Sequence, residues 1–146
     1  MGRYSTGCLT SAGSTTLPII SLYGGSGTKQ GKVVEVGITN TTTTGFAIKL
    51  VRLTSVATTG AGLVEAFHDP TLASPNWQGF NTHSSTGPTL GDDLGYRASI
   101  GAAVGAGIVW TMGAGGITTG ASPNGIGVIV ENGSGQAAQA YIVWDE

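Results

Sequence analysis

Charge is what this chain has least of. Only 10% of its 146 residues are Asp, Glu, Lys or Arg, against roughly a quarter in ordinary soluble domains. Six basic and eight acidic residues leave a formal net charge of −2. There is no basic cluster to neutralise phosphates, which argues against nucleic-acid binding. Cysteine is almost missing too. Cys8 stands alone, so no intramolecular disulfide can staple the fold. The two histidines, His68 and His83, lie in neither a GxSxG nor an HExxH context. Nucleophilic catalysis is therefore not expected.

A membrane-spanning helix is also lacking. Residues 98–130 contain no Asp, Glu, Lys or Arg, and "GAAVG" at 101–105 matches GxxxG. Yet Gly105, Gly107, Gly113, Gly115 and Gly116 cut the run, and each glycine costs roughly 1 kcal/mol in a helix interior. Strands explain the same residues better, and no membrane partner is expected. The opening "MGRYSTGCLTSAGSTT" has no apolar core and does not read as a secretory signal. The loose acylation match at Gly2 and Thr6, and the Asn-x-Ser/Thr matches at Asn40 and Asn132, carry little weight in so Thr- and Ser-rich a chain.

What is present is glycine, at 26 residues, and a 40% apolar fraction with mean hydropathy of +0.18. Gly, Thr, Val and Ile broken by turns point to an all-β domain. The length suits one domain with a real core. Residues 1–16 are small and polar and read as an extended N-terminal arm or a first edge strand; residues 17–146 read as the sandwich.

"KVVEVGITN" alternates, with Val34, Val36 and Ile38 on one side. "FAIKLVRLTS" follows after a short loop, so the pair reads as an antiparallel hairpin. Its pattern slips after Leu50, which a β-bulge at Leu50–Val51 explains. "GAGLVEAFHDP" is a short strand ended by Pro70. Residues 69–93 have no period, and so long a connection is often functional. "GYRASIGAAVGAGIVWTMG" restores alternation. "IGVIV" and "AAQAYIVW" flank Asn132–Gly133, a hairpin signal. The whole reads as a single antiparallel β-sandwich, of which the jelly roll is one form.

Chemistry-bearing residues gather around the long loop. His68, Asp69, His83, Asp92 and Asp93 flank it, but their spacing fits no metal motif. "GGSG", "GAGG" and "NGSG" precede no helix and carry no phosphate-binding lysine. No metal or cofactor is expected. In "GPTLGDDLGYRA", Asp92 and Asp93 are adjacent and so face one another poorly across a cleft. They read as turn-stabilising acids, with Arg97 as counter-charge. Trp77 and Phe80 either pin the loop to the core or meet a partner. Trp77, Phe80, Asp92, Asp93 and Arg97 are thus the candidate subunit-contact residues, and no catalytic residue is nominated.

The order of segments resembles small all-β virion proteins of tailed bacteriophages. The likeness runs through "SAGSTTLPIISLYG", "EVGITNTTTTGFAIKLVRLTS", "GAGLVEAFHDP", "LGDDLGYRASIGAAVGAGIVWTMG" and "NGIGVIVENGSGQAAQAYIVWDE". It implies a non-enzymatic capsid decoration (cement) protein. Such a protein partners itself, as a homotrimer, and a major capsid protein, and assembles in the host cytoplasm into the virion. The alternatives are another neck, tail or head-fibre part, or a carbohydrate-binding module stacking sugars on Trp77, Phe80, Trp110 or Tyr96.

Overall fold

The computed structural model describes residues 1–27 and 30–146. All regular structure among them is β: β1 (Arg3–Leu9), β2 (Ile20–Tyr23), β3 (Lys32–Asn40), β4 (Phe46–Leu53), β5 (Ala66–Phe67), β6 (Gln78–Phe80), β7 (Leu90–Ile100), β8 (Gly107–Thr111), β9 (Ile117–Thr118), β10 (Gly125–Asn132) and β11 (Ala138–Asp145). Among the described residues no helix is long and apolar enough to cross a membrane.

Two antiparallel sheets pack as a sandwich. The first runs β5-β1-β11-β3-β8, with β9 also on β3; the second runs β6-β2-β10-β4-β7. The long pairings nest: β4 with β7, β3 with β8, β2 with β10 and β1 with β11. The chain is therefore one long doubled-back ribbon, with residues 54–89 at its tip.

Alternation on each strand fills the space between the sheets. Val36, Ile38, Ala140, Ile142 and Trp144 point in from the first sheet; Ile20, Leu22, Ile48, Leu50, Ile126, Val128 and Val130 meet them from the second. Burying each such aliphatic side chain contributes about 1.5–3 kcal/mol.

Four expectations need correction. Residues 3–9 are not a free arm. They form β1, hydrogen-bonded to β11 along its whole length, and Tyr4 and Thr6 are buried inward. Val34 is not an inward residue. The β3–β11 ladder passes from Glu35↔Val143 to Val33↔Trp144, so Val34 is the extra residue of a bulge and Val33 takes the core position.

The slip at Leu50–Val51 is no bulge in β4. Its register with β10 runs unbroken from Leu53 to Ile48. Val51 and Leu53 are apolar because the outer face is covered as well. They form a second core with Tyr23 and Ile129, lidded by Val56, Phe80 and Leu90. The register shifts around Leu50 and Arg52 are against β7; the one against β10 lies beyond Ile48, where Glu131 is the extra residue.

Neither expected hairpin exists, since β3 and β4, like β10 and β11, lie in opposite sheets. Gly133 does take the left-handed conformation expected of it, with φ of 69°, but its loop arches between sheets. The β3–β4 arch is held by the buried Asn40 side chain. Its Nδ2 donates to the carbonyls of Thr44 (2.8 Å) and Gly101 (2.9 Å), and its Oδ1 accepts from the Thr42 N–H at 2.9 Å.

Candidate functional site

Asp93 sits where β7 loses step with β4. Lys49 opposes Arg97, Val51 opposes Asp93, and Leu53 opposes Leu90. All the extra residues lie on β7, and Gly95 absorbs the distortion with a φ of 80°. Asp93 Oδ1 accepts the Gly95 N–H at 2.9 Å. Its Oδ2 accepts from Arg97 and from Lys49, the latter at 3.4 Å. Arg97 also pairs with Glu131 of β10. The Gly95 N–H, then Lys49 and Arg97, hold the Asp93 carboxyl below the usual carboxylate range.

Four charges thus cross three neighbouring strands on the outer face of the second sheet. Asp93 and Arg97 do for each other what the sequence suggests, inside a bulged strand rather than ahead of one. Asp92 is exposed. Exposed pairs of this kind add little stability. Charges and bulges on an edge strand also discourage pairing with a stray strand.

Trp77 is 1% exposed, with its ring against Gly31. It pins the long loop to the core and presents nothing to a partner, which removes it from the contact set. Phe80 is half-buried and meets Tyr23 edge-on, ring centroids 5.9 Å apart. Trp110 is buried, and Tyr96 closes over it at 6.1 Å. The two tryptophans offer no open stacking face, and the half-buried Phe80 and Tyr96 are each engaged edge-on by another ring.

The structure brings together one pair that the sequence hides. Ser21 Oγ and His83 Nε2 lie 2.9 Å apart, both buried, beneath the segment that follows β6. His83 Nδ1 is buried without a partner, and among the described residues no carboxylate bonds the ring. A nucleophile and base with no orienting acid and no access to solvent are not a catalytic pair.

Burial depresses the His83 pKa below its ordinary value of 6.5. The folded state therefore favours the neutral ring. The stability this confers is full above the unfolded pKa and is lost as pH falls through the depressed folded one. Thermal melts between neutrality and mild acid should show a decline that His83→Gln removes. An unchanged slope in that variant would assign the decline to other groups.

Cys8 lies on β1, half-buried. Desolvation raises its pKa, which leaves an unreactive thiol.

The flank where β7 and β8 approach each other is of another kind. It belongs to the uncharged stretch 98–130. Residues 101–105 are all exposed, with Val104 at 69% and Val109 on β8 at 55%. Among the described residues β8 pairs only with β3, so its other backbone edge is open. Charge-free small residues beside an open strand edge leave that edge unguarded. The sequence shows this stretch as a gap in charge but not that it is exposed.

Among the described residues no group of three or more His, Cys, Asp or Glu is placed to hold a metal ion. No protein-family model, no curated protein and no solved structure matches the chain.

Proposed function

We propose that this protein is a non-enzymatic structural subunit of a bacteriophage particle, a capsid decoration protein that trimerises and binds the major capsid shell. The observation that carries the reading is the unguarded flank of β8 and residues 101–106. It suits a surface covered in an assembly better than one kept in water. The nested strand order supports a jelly-roll reading, eight long strands in two sheets of four, an architecture common in viral shells and lectins. That support is by analogy of fold alone. The resemblance in segment order points the same way. Another neck, tail or head-fibre position would use the same flank.

Light scattering on a sizing column at micromolar concentration should give a trimer. Ala102→Lys with Val104→Lys, two exposed positions, should give a folded monomer that no longer binds the particle. Copy number by quantitative gel of a purified virion should match shell symmetry; a few copies would place the protein in the neck or tail. A wild-type monomer that does not bind shells would overturn the proposal.

A further inference from the structure

We propose that the outer face of the first sheet carries a saccharide-binding groove built around Tyr141 and His68. Outward residues there stand in register across the strands. Gly7, Tyr141, Gly37 and Val109 make one row, and Ser5, Val143, Glu35 and Thr111 the next. The Tyr141 ring occupies the space that a side chain at Gly37 would need, so it reaches across β3. Its hydroxyl donates to Glu35 Oε1 at 2.8 Å.

Arg3 grips Asp145 through Nε and Nη2, at 2.7 and 2.9 Å. His68, just past β5, donates its backbone N–H to the Arg3 carbonyl at 3.1 Å and sets its ring Nε2 3.2 Å from Ser5 Oγ. A hollow of ≈ 390 Å³ lies beside Arg3, Glu35 and Asp145. A second, of ≈ 450 Å³, lies beside Tyr141 and Ser5. They share His68 and Val143, which makes one groove of two compartments.

The polar groups around it are fixed but only half used. Among the described residues nothing takes up Nη1 of Arg3, Oε2 of Glu35 or Nδ1 of His68. The Arg3 hydrogen bonds hold Asp145 ionised. Desolvation, then Glu35, pushes the Tyr141 phenol up to about 12, so it is a neutral hydroxyl at physiological pH.

The floor is a half-exposed ring with Val143 and glycine backbone. A pyranose matches this pattern, with C–H groups for the ring and hydroxyls that both donate and accept at the rim. Arg3 is already committed to Asp145, and Glu35 sets a carboxylate at the rim, which disfavours phosphorylated or sulfated ligands. The groove adjoins the β8 flank at Val109, but Ala102 and Val104 line neither hollow, so either proposal can fail without the other.

The test is an NMR titration of the full chain with a panel of neutral mono- and oligosaccharides, alongside inorganic phosphate and a sulfated oligosaccharide. At least one neutral sugar should shift the amides of Gly7, Glu35, Gly37, His68 and Tyr141, with a dissociation constant of about 1 mM or tighter. Glu35→Gln keeps an acceptor for Tyr141, and His68→Ala alters an exposed ring. Each should weaken binding about tenfold, a loss near 1.4 kcal/mol, with melting unchanged. Silence from every neutral sugar, response to the anions alone, shifts elsewhere on the surface, or wild-type affinity in both variants would each overturn the proposal.

Discussion

Asn40→Ala should lower the unfolding free energy by about 3 kcal/mol, since each buried polar group left without a partner costs roughly 1–3 kcal/mol. Asn40 is fully buried. Its side chain satisfies the Thr44 and Gly101 carbonyls and the Thr42 N–H at once. Its own N–H donates to Ala106 and its carbonyl accepts from Gly105. One residue thus ties the β3–β4 arch to the β7–β8 loop, joining both sheets at one end. Alanine removes the partner of both carbonyls and of the Thr42 N–H. Asn40→Asp keeps the acceptor for Thr42 but loses both donors and buries a charge, so it should be no better tolerated. Urea midpoints at unchanged slope measure the effect. A midpoint within error of wild type would mean that the arch is held by its backbone alone.

Trp77→Ala should cost about 3–5 kcal/mol, the range for deleting a buried aromatic. The ring lies against Gly31 with no room for a side chain between them. The loss should also show locally. Trp77 anchors the far end of a loop whose next fixed point is the Asn76 N–H, held by the Glu146 carboxylate at 2.8 and 3.0 Å. Limited proteolysis should therefore nick residues 68–77 well below the global melting temperature. Equal resistance in mutant and wild type would remove the pin from the account.

Much of this architecture can be read along the chain, because a half-buried strand writes its faces as alternation. β3, β4, β7, β8, β10 and β11 are legible in that way. Pairing is not. A five-residue connection looks alike whether it turns within a sheet or arches across a sandwich, and here a side chain, Asn40, decides. β1 is concealed because its inward residues include Thr6 and Cys8, which do not announce a core. Val51 and Leu53 suggest a broken pleat only when one assumes that a sheet has a single dry face.

At the surface, Asp93 and Arg97 are legible as a local pair four residues apart. The groove is not, because it joins Arg3, Glu35, His68 and Tyr141 from four strands or their ends. Alternation in "AQAYIVWD" does put Tyr141, Val143 and Asp145 on one face. Nothing nearby in sequence says what they meet.

The nesting of strand pairs sets a timetable. β1 has only the two residues of β5 to pair with until β11 arrives, and β2 has only β6 until β10 arrives. The innermost pair, β4 with β7, closes the shortest loop, and every later pair must wait for it or pay a larger entropy. Folding should therefore zip outward from that pair and run in the slow, millisecond-to-second class of non-local β-proteins. On the ribosome, β1 emerges before its partner β11 and is among the last strands of this fold to be sheltered.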